Sequence, residues 1–254
     1  MPDTLADFER AKVTLHGTTK LVYRKGTGPA VIVMSEMPGI TPKVADFARA
    51  VANNGCTVVM PHLFGRDGVP PSSGAYLRAI AQVCISREFT LFARGESNPV
   101  TGWLRELART EHERCGGPGV GAVGMCLTGG FALALMVEPS VIAPVLSQPS
   151  LPSRLGPFLA RNESDLGVSD ADLATVKRRM VDEDICMLGY RYSDDPLSPA
   201  ARFERLTQEF GDRFIGTTFP SASKKDHSVL TEHLQQQAFD EVLAFFRTRL
   251  HPAS

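Results

Sequence analysis

The chain has 254 residues, with 27 Lys and Arg against 28 Asp and Glu, so it carries no net field able to hold nucleic acid or an anionic membrane surface. No segment approaches the ~20 apolar residues of a bilayer span, and the N-terminus lacks the basic-then-apolar pattern of a secretory signal. The five cysteines (Cys56, Cys84, Cys115, Cys126, Cys186) are odd in number and widely spaced, with no CxxC pair and no histidine cluster at metal-ligand spacing, which predicts a soluble cytoplasmic protein without a metal.

In chain order, residues 1–30 alternate, as in Val13-Thr14-Leu15-His16 and Leu21-Val22-Tyr23, and predict an antiparallel meander at a sheet edge. Residues 30–34 and 56–60 are continuous β-branched runs around a helical segment (Val44, Phe47, Ala48, Val51) that stops at Gly55, a βαβ unit. Further buried strands are predicted over 120–125, 141–146, 185–192 and 214–219, although Pro144 argues against a central strand there. Helices are expected after residue 126, over 199–210 and at the end of the chain, where Leu234, Ala238, Val242 and Phe246 share one face. Strands alternating with helices predict one α/β domain over 1–254, with a mostly parallel, doubly wound sheet, helices on both faces and an antiparallel N-terminal edge. Residues 150–184 leave this alternation for a polar excursion with a helix capped at Ser169 and striped by Leu173, Val176 and Met180. That pattern fits a lid over the sheet and a plain surface helix equally.

The most informative segment is Gly124-Met125-Cys126-Leu127-Thr128-Gly129-Gly130, a buried strand running through a Gly-flanked turn into an apolar helix. This is the layout of a nucleophile elbow with sulfur at its apex, where helix N-terminal N–H groups favour a thiolate. A merely buried structural cysteine fits the same pattern. In such sheets functional side chains sit just beyond the carboxyl ends of the strands. His227 lies in the polar loop after the last strand, and Asp194 and Asp195 follow the strand before it. The order Cys126, Asp195, His227 is the nucleophile–acid–base order of α/β-hydrolases. Asp195 is preferred over Asp194 because Asp195-Pro196 turns the chain into the following helix. His16, His112, His233 and His251 lie in the hairpin, in helices or in the tail, and His62 follows the wrong strand.

With these residues in hand, the chain resembles the dienelactone hydrolases, a cysteine branch of the α/β-hydrolase superfamily. The resemblance rests on Gly124 to Gly130, on Ser35-Glu36-Met37-Pro38-Gly39, on the Asp195 turn ending at Pro199, and on His227. It implies a cofactor-free and metal-free Cys126–His227–Asp195 triad that opens an activated ester or enol lactone through a thioester acyl-enzyme. It also implies that Glu36 contacts the resting thiol, keeping it protonated until substrate arrives; a salt-bridged loop carboxylate is the plainer alternative. Backbone N–H groups of Leu127 and Met37 would receive the oxyanion. A carboxylated substrate would need a cation, for which Arg87, Arg94 and Arg191 are candidates by position alone. A general carboxylesterase or thioesterase, and a non-catalytic binding protein with a redox-sensitive Cys126, remain open on sequence alone.

Overall fold

The computed structural model describes residues 1–85, 99–151 and 163–251. Strands β1 (Glu9–Leu15) and β2 (Thr18–Lys25) form the expected hairpin, and β3 (Ala30–Met34), α1 (Pro42–Asn53) and β4 (Thr57–Pro61) form the βαβ unit. Then follow α2 (Ser73–Ile85), α3 (Pro99–Cys115), β5 (Val120–Met125), a 3₁₀ turn (Cys126–Thr128), α4 (Gly129–Leu135) and β6 (Val141–Ser147). Helix α5 (Asp170–Asp182), β7 (Met187–Tyr192), α6 (Ala200–Phe210), β8 (Phe214–Phe219) and α7 (Gln236–Leu250) complete the order. One eight-stranded sheet runs β1-β2-β4-β3-β5-β6-β7-β8. The pairs β1/β2 and β2/β4 are antiparallel and all the others parallel. Strand β6 does run through Pro144, opposite Ala122, and its register with β5 slips between Val120 and Gly121.

Alternate residues of the parallel strands feed opposite faces, as the period of two requires. Val31, Val33, Val123 and Val145 pack with Val44, Phe47 and Val51 of α1 and Val242 and Phe246 of α7. Ile32, Met34 and Ala122 pack on the other side with Trp103, Leu104 and Leu107 of α3, Phe131 of α4 and Leu206 of α6. Of the excursion, Ser169 caps α5 by accepting from Asp172 N at 3.1 Å, and Leu173, Val176 and Met180 are buried in this second layer. Residues 152–162 lie outside the described ones. Among the described residues, no helix is long and apolar enough to cross a membrane.

All six parallel strands present their carboxyl ends along one edge of the sheet, where the loops carrying Glu36, Cys126, Gln148, Asp195 and His227 leave β3, β5, β6, β7 and β8. Gly124 lets the β5 loop turn back on itself, because a Cβ there would lie 2.1 Å from the carbonyl oxygen of Thr128 and 2.9 Å from Gly129 Cα. Both obstacles are backbone, so they cannot swing aside. Gly124→Ala is therefore expected to destabilise the protein by about 3 kcal/mol in a urea titration; a midpoint unchanged from wild type would contradict this packing.

Candidate active site

Cys126 occupies the apex of the β5–α4 turn with φ +54°, a conformation that side-chain-bearing residues seldom adopt. Thr128 holds the turn. Its Oγ1 accepts from Met125 N at 2.9 Å and points its single proton among the carbonyls of Met34, Met125 and Ser35 at 3.0, 2.9 and 3.3 Å. A hydroxyl is thus useful at a position where the elbow pattern asks for a small residue, since it ties the turn to the end of β3. Gly129 accommodates the neighbouring β6 loop, for a Cβ there would stand 2.6 Å from Pro149 Cα. The Cys126 sulfur is buried and lies 3.1 Å from Ser150 Oγ.

Asp195 and His227 meet across the adjacent loops. Asp195 Oδ2 is 2.6 Å from His227 Nδ1, and Asp195 Oδ1 accepts from Leu197 N at 2.9 Å, so the buried carboxylate is fixed at both oxygens. With Asp195 accepting from Nδ1, Nε2 is the nitrogen left for the sulfur, whose charge acts on the ring. Nε2 is buried without a well-formed hydrogen bond. Burial opposes charging of the ring, but Cys126 and Asp195 outweigh it and raise the His227 pKa well above 6.5. Asp194 is exposed, donates its N–H to Ser221 Oγ at 2.9 Å and makes no described hydrogen bond to His227, which separates the two aspartates. The His227 loop is itself held by His233, whose Nδ1 accepts the N–H groups of His227 and Ser228 at 3.2 and 3.4 Å.

Glu36 departs from its expected partner. Its carboxylate accepts from Gln148 Nε2 at 3.0 Å, from Ser228 Oγ at 2.7 Å and from Thr231 Oγ1, while the described partner of the Cys126 sulfur is Ser150. The expected thiol contact of Glu36 is corrected accordingly: both carboxylate oxygens are occupied by donors from the β6 and β8 loops. Complete burial raises the Glu36 pKa, and the Thr231 hydrogen bond, the His227 charge and Ser228 work against that rise. Gln148, with φ +35°, completes the network: its Oε1 accepts from Val229 N at 3.2 Å and from Ser147 Oγ.

Arg191 is the second correction. Its guanidinium is buried and donates to the carbonyls of Ser198 and Ser193, each at 2.8 Å, so it braces the Asp195 turn and is not open to a substrate carboxylate. Arg87 and Arg94 lie outside the described residues. Met37 N–H donates in no described hydrogen bond, and Leu127 N–H lies in the 3₁₀ turn directly after the sulfur. Position in the sequence did not point to Tyr76, on α2, which is exposed on one side; partial desolvation, then the charges of Glu36, Cys126 and Glu232, push its phenol up to about 12. Among the described residues, no three His, Cys, Asp or Glu side chains gather as a metal site.

The family model for the dienelactone hydrolase family matches residues 17–154. No curated protein matches the chain in sequence. Among solved structures, the chain is similar to a dienelactone hydrolase from Anabaena variabilis, at 14% identity and TM-score 0.60 over 96% of this chain and 100% of that one. It is also similar to P91, a dienelactone hydrolase-like promiscuous phosphotriesterase from metagenomic libraries, at 16% identity and TM-score 0.64 over 96% and 98%. A cold-adapted esterase from an Arctic intertidal metagenomic library gives 11% identity and TM-score 0.58 over 96% and 93%. At these identities the structures share the fold, which is that of the α/β-hydrolases.

The Glu36 network gives a stability prediction. Glu36→Ala strands the donors on Gln148, Ser228 and Thr231 in a dry interior and is expected to cost about 3 kcal/mol by chemical denaturation. A cost near zero would mean that those donors find other acceptors and that the carboxylate does not bind the three loops together.

Proposed function

The chain belongs to the dienelactone hydrolase family and is a hydrolase acting on ester bonds, and we propose that it opens activated esters or enol lactones through Cys126, His227 and Asp195. The observation that carries this reading is the convergence of a buried sulfur at a strained turn, an imidazole beside it, and a carboxylate on the far ring nitrogen. The family match ends at residue 154, so the roles of Asp195 and His227 rest on this geometry.

The cycle starts from a thiolate on Cys126 and an imidazolium on His227, whose Nδ1 proton stays with Asp195. Sulfur attacks the acyl carbon, a C–S bond forms, and the carbonyl electron pair moves to oxygen. The N–H groups of Leu127 and Met37 receive that charge, a contribution of about 3 kcal/mol for each well-placed donor. The oxyanion collapses, the C–O bond to the leaving group breaks, and His227 Nε2 protonates the departing enolate or alkoxide. Water then gives a proton to His227 as its oxygen attacks the thioester, and the acid product leaves with the thiolate regenerated. Because the thiolate is itself a good leaving group, the first adduct goes forward best when the other group is equally stable, which favours enol lactones and activated esters over amides. Thr231, Ser228 and Gln148 hold Glu36, which fixes the loop that carries Met37 N.

The substrate is a small-molecule ester or lactone; if it carries a carboxylate, Arg87 and Arg94 are the candidate cations left by position, since Arg191 is bound to carbonyls. The described cysteines Cys56, Cys115, Cys126 and Cys186 are all free, which supports a reducing, cytoplasmic setting.

Hydrolysis of an activated aryl ester and of a dienelactone tests this reading. Cys126→Ala is expected to lower kcat/KM at least about a thousandfold on whichever compound is used, and the preferred compound separates a lactonase from a general carboxylesterase. Activity that survives the substitution would remove the sulfur from the mechanism. The pH profile carries a sign as well: His227 must hold a proton for the leaving group, and its pKa is raised, so activity should fall on the alkaline side well above pH 6.5. Asp195→Asn should move that limb to lower pH, and a limb that stays in place would contradict the pairing.

A further inference from the structure

Ser150 stands against the sulfur by construction and not by chance proximity. The chain leaves β6 at Gln148, whose N–H is held by the Tyr190 carbonyl at 2.6 Å. Pro149 follows with its carbonyl on Arg202 Nη1 at 2.7 Å and its Cα against Gly129. Ser150 then donates its own N–H to the Cys126 carbonyl at 2.9 Å and sets its Oγ 3.1 Å from the Cys126 sulfur. Both residues are buried, at 6% and 8% exposure, so water competes little for this contact.

A hydroxyl has one proton, and among the described residues Ser150 Oγ has no hydrogen-bond partner other than the sulfur. Were the sulfur to donate its proton to Ser150, the hydroxyl proton would be left without an acceptor in a buried place, a cost of about 1–3 kcal/mol, so the hydroxyl is the donor in this contact. With the remaining proton on His227, the sulfur accepts from the Ser150 hydroxyl on one side and faces the imidazolium on the other. Hydrogen bonds to an ionised acceptor are about twice as strong as neutral ones, so this donor favours the thiolate over the thiol.

We propose that Ser150 is a catalytic residue whose hydroxyl donates to the Cys126 sulfur and stabilises the thiolate both in the resting enzyme and as it departs from the acyl-enzyme. This rests on Cys126 being the nucleophile. When the sulfur attacks, its charge passes to the carbonyl oxygen and the Ser150 donor loses its acceptor; when the thioester is hydrolysed, the charge returns and the donor is again satisfied. Ser150 therefore acts on the step that expels sulfur, whereas Leu127 and Met37 act on the oxyanion.

The test is the pH dependence of Cys126 alkylation by iodoacetamide, measured beside kcat/KM for an activated aryl ester in wild type, Ser150→Ala, Ser150→Thr and Cys126→Ala. In Ser150→Ala the alkylation midpoint should move to higher pH by about one unit, and kcat/KM should fall about tenfold at neutral pH and recover toward wild type as pH rises. Ser150→Thr keeps the hydroxyl and should restore both. A uniform loss of activity across pH with an unmoved alkylation midpoint would make Ser150 a structural brace and overturn the proposal, as would profiles that overlay those of wild type. Full activity in Cys126→Ala would instead overturn the nucleophile assignment itself, so the two failures are told apart. If Ser150→Thr disturbs the fold, thiolate ultraviolet absorbance in Ser150→Ala gives the same reading without rescue.

Discussion

The arrangement at the carboxyl edge of the sheet depends on the backbone of Cys126 being held at positive φ. A residue with a side chain pays about 1–3 kcal/mol for such a conformation, so its surroundings must over-determine it. They do so from four directions: Gly124 removes the Cβ that would strike Thr128, Thr128 ties the turn to β3, Ser150 N–H captures the Cys126 carbonyl, and Gly129 lets Pro149 close in. The same twist lifts the sulfur out of the sheet toward Ser150 and sets Leu127 N–H in the 3₁₀ turn beside it. Strain and chemistry therefore have one source, and relaxing the turn would lose both.

Charged groups buried around this turn act mainly on the main chain. Arg191 holds the carbonyls of Ser193 and Ser198, and Arg202 those of Pro149, Leu197 and Asp165, so two cations fix the loops on either side of Asp195 and Ser150. Glu36 works through side chains instead, drawing donors from the β6 and β8 loops to the end of β3. A carboxylate in so dry a place is tolerable only because Gln148, Ser228 and Thr231 supply donors together. Mobile segments carrying these groups would let His227 and the sulfur drift apart; the buried polar frame keeps them within reach.

Much of this frame was legible in the sequence. The β-branched runs gave strands to within a residue or two, as at Thr57–Pro61 against an expected 56–60, and Ser169 with Asp170 marked the start of α5. Gly124 and Cys126 announced the turn because a glycine two residues before the apical residue has a steric cause. Loop position after β7 and β8 picked out Asp195 and His227 without knowledge of their contact. Helix α2 and its Tyr76 were not anticipated, since Tyr76 and Leu77 are exposed and the segment lacks a clean apolar stripe. Partners of Glu36 were out of reach for a different reason: they lie 112, 192 and 195 residues away, and polar loop residues carry no period that could pair them. Arg191 misled because position shows only that a cation is near a strand end, whereas burial and nearby carbonyls decide what it binds.

The central claim is that acyl transfer passes through sulfur at the apex of the turn. Rapid acid quenching during turnover of an activated ester with a slowly hydrolysed acyl group, followed by peptide mass mapping, tests it most directly. The account predicts an acyl mass on the peptide containing Cys126, formed within the first turnover and lost as the ester is exhausted. Steady-state turnover with no covalent adduct, or an adduct on any other residue, would contradict it.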